Sequence, residues 1–166
     1  KKKKKIKIFL KKKKKKKIKK IYTNTKIEIP ICYDDEFALD INLVSNKTKM
    51  SKKEIINLHL QTKFYVYMIG FIPGLPFMGD LDKKISLDRK STPRTIVPAG
   101  SVGIVKNFCV IYPNKSPGGW NIIGRTPKKL FYNNKKNPIL LKVGNFVKFK
   151  LISKKEFEKT CEYDYA

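Results

Sequence analysis

Thr95-Ile96-Val97-Pro98-Ala99-Gly100-Ser101-Val102-Gly103-Ile104-Val105-Lys106-Asn107-Phe108-Cys109-Val110-Ile111-Tyr112 decides the fold class. It holds three short runs of branched and aromatic residues, each too brief for a helix and each closed by a turn. The spacing predicts strands over 95–97, 101–105 and 108–112, the last two joined through Lys106-Asn107 as a hairpin tip, though without the favoured Asn-Gly. The same texture extends both ways. All nine glycines lie between Gly70 and Gly144, and eight of nine prolines between Pro73 and Pro138. Further strands are expected over 64–71, 120–123, 139–141 and 146–152, with Val143-Gly144-Asn145-Phe146 turning into the last. Seven short strands at this spacing suggest a mainly β chain, closed or nearly closed into a barrel.

Upstream, residues 27–32 alternate and carry branched apolar side chains, which reads as a strand leading inward. Two short helices follow. The first is expected from Asp34 or Asp35 to about Val44, with Phe37, Ile41 and Val44 on one face. The second has a start signal: Ser51 with Glu54 three residues on makes a capping box, and Met50 can staple to Ile55. It runs to about Leu60.

At 166 residues and 41% hydrophobic content the chain is long enough for one real core. It carries 39 Lys+Arg against 13 Asp+Glu, a net charge of +26. Fifteen lysines and no acid fall in the first 20 residues, so 1–25 reads as a Lys-rich low-complexity tail and linker before a domain at 26–162. The charge invites a nucleic-acid reading, but 36 of the cations are Lys and only three are Arg. Lysine is the poorer reader of phosphates and guanine, and no specific nucleic-acid partner is expected. The excess of Lys comes with 20 Ile and 11 Asn, as AT-biased coding would produce. The segment is then a solvated tail, a polyanion-binding arm or the degraded remnant of another element. If Lys serves wherever charge suffices, Arg89, Arg94 and Arg125 mark places that need a planar fork of donors. Cys32, Cys109 and Cys161 are odd in number and widely spaced, which excludes a disulfide scaffold and a zinc ribbon. The longest apolar stretch, residues 66–79, is interrupted by Pro73, Gly74 and Pro76, so no membrane span is expected. A cytoplasmic protein is the expectation.

Three clusters hold candidate chemistry. Gly70-Phe71-Ile72-Pro73-Gly74-Leu75-Pro76-Phe77-Met78-Gly79 reads as a stiff loop facing a partner or ligand, or as a covered barrel corner. Arg94 stands one strand before the turn that ends in Ser101, as part of a site or as an ordinary surface arginine at a strand start. Ser116-Pro117-Gly118-Gly119-Trp120 followed by Gly124-Arg125-Thr126 can form a nest of backbone amides with a guanidinium and hydroxyl nearby. Trp120 and Tyr112 would wall the pocket, with core packing the plainer role for Trp120. His59, the only histidine, is a pocket-wall candidate or a packed helix residue. It is too isolated for a metal site, and none is expected. There is no Walker loop and no nucleophile elbow, and no catalytic residue is assigned.

Together these motifs resemble the family of the 5-oxoprolinase B subunit, also known as Kip-type kinase inhibitors or allophanate hydrolase subunit 1. The resemblance runs from about Lys26 to Glu162. It is carried by Ile29-Pro30-Ile31-Cys32-Tyr33, Leu58-His59, Gly70-Phe71 with Pro73-Gly74, and Pro93-Arg94 through Pro98-Ala99-Gly100-Ser101-Val102-Gly103-Ile104. It continues in Ile111-Tyr112-Pro113, Ser116-Pro117-Gly118-Gly119-Trp120 and Ile123-Gly124-Arg125-Thr126-Pro127. The chain departs from the family where Val105 to Val110 lacks a Gln and Thr, at Gly144-Asn145 and at Gly79-Asp80. The Lys-rich stretch also stands where the family has an α/β domain, as in a truncated subunit.

The resemblance implies a cyclophilin-like β-barrel with two short helices near its start. It implies one component of an ATP-dependent enzyme that opens 5-oxo-L-proline to L-glutamate, inactive alone and paired with a related C-type subunit and an A-type subunit. ATP would be bound by the complex. Arg94, Ser101, Ser116, Gly118, Gly119, Arg125 and Thr126 are then the expected substrate- or phosphate-binding residues. Gly70, Pro73, Gly74 and Gly79 would face the partner. The alternatives are a regulatory inhibitor of a sensor histidine kinase and a non-functional remnant.

Overall fold

The computed structural model describes residues 25–163. The Lys-rich segment expected to be a tail falls outside them, apart from Thr25. Nine strands, three α-helices and a 3-10 turn follow in order: β1 Lys26–Ile31, α1 Ile41–Thr48, α2 Lys52–Gln61, β2 Phe64–Ile69, β3 Pro76–Gly79, the 3-10 turn Lys83–Ile85, β4 Arg94–Val97, β5 Ser101–Val105, β6 Phe108–Ile111, β7 Ser116–Gly118, β8 Asn121–Arg125, β9 Phe146–Leu151 and α3 Lys154–Thr160.

Seven strands form one sheet in the order β1-β9-β2-β3-β6-β5-β8. The sheet curls until its two edges meet. Cys32, just after β1, exchanges two backbone hydrogen bonds of 2.9 Å with Arg125 at the end of β8. The expected nearly closed barrel is present. Its first and last strands, β1 and β9, pair in parallel, in register from Lys26 opposite Phe146 to Ile31 opposite Leu151. β2 carries a bulge at Tyr67, which leaves Tyr67 and Met68 about half exposed.

Alternation along the wall strands separates two cores. Met78, Ile104, Cys109, Ile111 and Ile123 face the main core, which also takes Ile41 and Val44 from α1 and Ile55 from α2. Val110, Tyr112 and Ile122 face the other way, into a smaller cluster with Leu75 and Val97. Strands β5 and β8 are therefore buried on both faces. The short ribbon of β4 and β7 joins this outer cluster through Val97.

The capping box opens α2 as expected: Ser51 Oγ accepts from the Glu54 amide while the Glu54 carboxylate accepts from the Ser51 amide. The first helix begins later than expected. Residues 35–37 form a turn, and Phe37 leaves the helical face to stack on Phe157 of α3 at 4.2 Å between ring centroids. Strand β3 lies inside the stretch read wholly as loop. Strand β7 lies inside the stretch read as a nest of amides. The strand expected over 139–141 reduces to a single bridge between Phe131 and Ile139.

Candidate functional site

The outer cluster opens as a cleft of about 320 Å³ lined by Phe71, Leu75, Phe77, Arg89, Pro93, Tyr112, Pro117, Gly118 and Trp120. That is near the lower end of the roughly 300–1,000 Å³ range of ligand pockets and suits a small molecule. Each wall has a local cause. The β2–β3 loop is closed by the Gly70 amide donating to Leu75 O, with Gly74 at φ +82° in its Pro-Gly turn. It lifts Phe71 to the lip, 72% exposed and itself at φ +71°. Trp120 meets Phe77 edge-on at 6.0 Å.

Tyr112 lies against Gly118 so closely that a Cβ on the glycine would run into its hydroxyl, with ring carbon Cζ only 2.9 Å away. Burial pushes the Tyr112 phenol up to about 12, opposed by Arg89, by a hydrogen bond from the Trp120 amide and by Arg94. The phenol is thus neutral and keeps its proton.

Behind the ribbon, Asp40 is 3% exposed and receives four hydrogen bonds of 2.7–2.9 Å: two from the Arg94 fork, one from Lys90 Nζ and one from the Ile122 amide. Burial alone would raise its carboxyl. The bonds from Arg94, Lys90 and Ile122, with the Arg94 charge, hold it below its ordinary 3.8. Arg94 is therefore a cross-brace between the ribbon and α1, and its fork is already filled by a carboxylate of the chain.

The other expected site residues divide. Ser116 and Gly118 belong to β7, paired with Val97 and Arg94, so this stretch is a strand rather than an open nest. Gly119 sits beside the Arg89 guanidinium, and its carbonyl accepts from the Lys90 amide at 2.9 Å. Ser101, Arg125 and Thr126 lie away from the cleft, at the barrel seam. Ser101 is buried opposite Arg125. Arg125 donates through Nε to Ala99 O and spreads over Phe37 and Phe157 at about 6 Å. Thr126 Oγ1 accepts from the Lys128 amide.

His59, by sequence either a pocket-wall residue or a packed helix residue, lies in the barrel interior with no exposure. Its Nδ1 is 2.7 Å from Tyr33 Oη and its Nε2 3.5 Å from Cys109 Sγ. Burial lowers it to about 3 and drives Cys109 upward, so all three groups are neutral core partners. Gly70, Pro73 and Gly74 form the lip loop. Gly79 ends β3 under the Tyr67 ring.

Sequence reasoning left Asp40 unremarked and kept Arg89 out of the site. Arg89 borders two clefts. On its far side a second one, of about 400 Å³, is lined by Leu43, Lys47, Arg89, Lys90, Ser91, Thr92 and Asn121. Among the described residues there is no cluster of His, Cys, Asp or Glu able to hold a metal, and no helix long and apolar enough to cross a membrane.

The family model for the carboxyltransferase domain, subdomain C and D, matches residues 2–141. The chain is 45% identical over 131 residues to the 5-oxoprolinase B subunit of Bacillus subtilis, covering 79% of this chain and 55% of that protein. It is 45% identical over 123 residues to the 5-oxoprolinase B subunit of Haemophilus influenzae, covering 74% and 58%. A solved structure of a conserved uncharacterized protein from Pyrococcus horikoshii superposes with a TM-score of 0.77 at 41% identity, over 80% of this chain and 62% of that one. The chain spans a little over half the length of these curated relatives.

Proposed function

This chain belongs to the family of the carboxyltransferase domain, subdomain C and D, and we propose on that footing that it is the barrel unit of a 5-oxoprolinase B subunit. In this reading it works with a related C-type subunit and an A-type subunit in the ATP-dependent opening of 5-oxo-L-proline to L-glutamate. The observation that carries the reading is the 45% identity over 131 residues to a protein named as the B subunit of 5-oxoprolinase. The cleft supports it. A five-membered lactam acid needs apolar walls for its ring and a cation for its carboxylate, and Phe77, Trp120 and Arg89 supply both.

Exposed apolar side chains follow one another along the end of β2 and the loop after it, at Tyr67, Met68 and Phe71, and support a partner-facing role for the loop of Gly70, Pro73 and Gly74. For ATP, the cleft of Lys47, Arg89, Lys90, Ser91 and Thr92 offers cations and hydroxyls that fit phosphate oxygens. It has no aromatic surface for an adenine, so the nucleotide is assigned mainly to the assembled complex. No residue of this chain is given a bond-breaking role.

The test is reconstitution. The chain is mixed with cognate partner subunits that lack their own B subunit, and ATP-dependent glutamate release from 5-oxoproline is measured. Release that requires this chain is the expected result. A folded chain that binds its partners and yields no glutamate overturns the reading.

A further inference from the structure

We propose that Arg89 is the carboxylate-binding residue of the aromatic cleft, and that the cleft takes a small flat carboxylic acid with its ring against Trp120 and Phe77. The proposal rests on the reading of this cleft as the substrate site, and it names the residue and ligand chemistry that make it selective.

Arginine is scarce, and two of the three are already committed. In a chain with 36 Lys, three positions retain Arg. Two are spent within the fold: Arg94 grips Asp40 with both terminal nitrogens, and Arg125 bonds Ala99 O while lying over two phenyl rings. Arg89 is exposed and has no hydrogen-bonded or ion-paired side-chain partner among the described residues. Its guanidinium stands beside Gly119 and Pro93 on the cleft wall. A solvated surface cation would be served equally well by Lys. A planar fork at the mouth of an apolar cleft is suited to a planar, two-oxygen anion.

Arg89 is also preorganised. The backbone around Arg89 is fastened on both sides. Leu87 O accepts from the Lys106 amide at 2.6 Å, Asp88 O from Asn121 Nδ2 at 3.0 Å, and the Lys90 amide donates to Gly119 O at 2.9 Å. Lys90 Nζ is also held by Asp40. An exposed side chain on so anchored a segment loses little further backbone freedom when it binds, which favours affinity. Tyr112, also on the cleft wall, is kept neutral by burial and adds no competing charge. The site thus presents one guanidinium fork and aromatic walls, a pattern that accepts a ring acid and discriminates against its uncharged amide.

Trp120 is the only tryptophan and lines the cleft, so its emission reports occupancy directly. The 166-residue chain is titrated with 5-oxo-L-proline, with pyrrole-2-carboxylate and with the primary amide of each, and affinities are confirmed by calorimetry. Both acids are expected to bind saturably and each amide at least ~10-fold more weakly. Arg89→Ala should weaken the acids about 10- to 100-fold and leave the amides unchanged, while Arg89→Lys restores only part of the loss. Because Arg89 is exposed, the variant should keep the wild-type circular dichroism and melting temperature.

Acids that bind Arg89→Ala as they bind wild type overturn the proposal. So do acids and amides that bind wild type equally, or a cleft that none of the four probes enters. Failure of the functional reading looks different: glutamate release is absent, yet pyrrole-2-carboxylate still binds in an Arg89-dependent way. A reconstituted complex whose KM for 5-oxoproline is unaltered by Arg89→Ala sinks the Arg89 assignment alone.

Discussion

Replacing Asp40 tests whether the brace behind the ribbon governs stability. Asp40→Ala leaves Arg94 and Lys90 without their carboxylate and the buried Ile122 amide without its acceptor. Breaking a fully buried ion pair from one side costs about 3–5 kcal/mol. Here the Arg94 and Lys90 side chains are 26% and 23% exposed and can turn partly to water. The stranded amide adds about 1–3 kcal/mol. A loss of about 3 kcal/mol at pH 7 is therefore expected, roughly 6–12 °C in Tm for a chain of this size. Asp40→Asn should lose about half as much, since one acceptor oxygen survives.

Urea unfolding followed by Trp120 emission gives the values, with a constant m confirming a common unfolded state. The pH dependence follows from the depressed carboxyl. The native contribution is complete above the ordinary value of 3.8 and is lost as pH falls through the lower folded value. Wild type and Asp40→Asn should thus converge in stability as pH falls through that range. A loss below about 1 kcal/mol for Asp40→Ala, or a gap that persists undiminished at about pH 2, refutes the reasoning.

Two further outcomes follow from close contacts. Gly118→Ala should cost about 2 kcal/mol by driving a methyl group into Tyr112. Tyr112→Phe in the same chain should return part of that, a coupling read by a double-mutant cycle in urea; strict additivity would contradict the contact. His59, held neutral by burial with its value lowered to about 3, should show no imidazole titration by NMR between about pH 8 and 4.5. Because the unfolded chain takes up that proton near 6.5, stability should fall below that pH by up to about 1.4 kcal/mol per pH unit; a histidine titrating near 6.5 in the folded protein is the contrary result.

The barrel was legible because its wall strands alternate and its turns are marked by Gly100, Lys106-Asn107 and Gly144. Strand β3 was hidden because Pro76 and Gly79 open and close it, and only its neighbours β2 and β6 make it a strand. Strand β7 is three residues of Ser, Pro and Gly and is defined by pairing with β4. Helix α3 did carry a signal. Ser153-Lys154-Lys155-Glu156 repeats the four residues that open α2, and Ser153 Oγ again accepts from the amide three residues on. The site was less legible. The scarcity of Arg marked three guanidinium groups but not their roles. That of Arg94 depends on Asp40, whose partners Lys90, Arg94 and Ile122 stand 50, 54 and 82 residues away. His59 followed its plainer reading, a packed helix residue.

The parallel pairing of β1 with β9 sets a schedule for synthesis. The first strand emerges about 120 residues before its partner, which at roughly 5–20 residues per second is a wait of some 6–24 s on the ribosome. Throughout it the nascent chain displays an edge that another polypeptide can adopt. Lys26 and Glu28 place charge along that edge, and Pro30 deletes one amide from it. The strand that must wait longest is thus written in residues that discourage any partner but the one still to come.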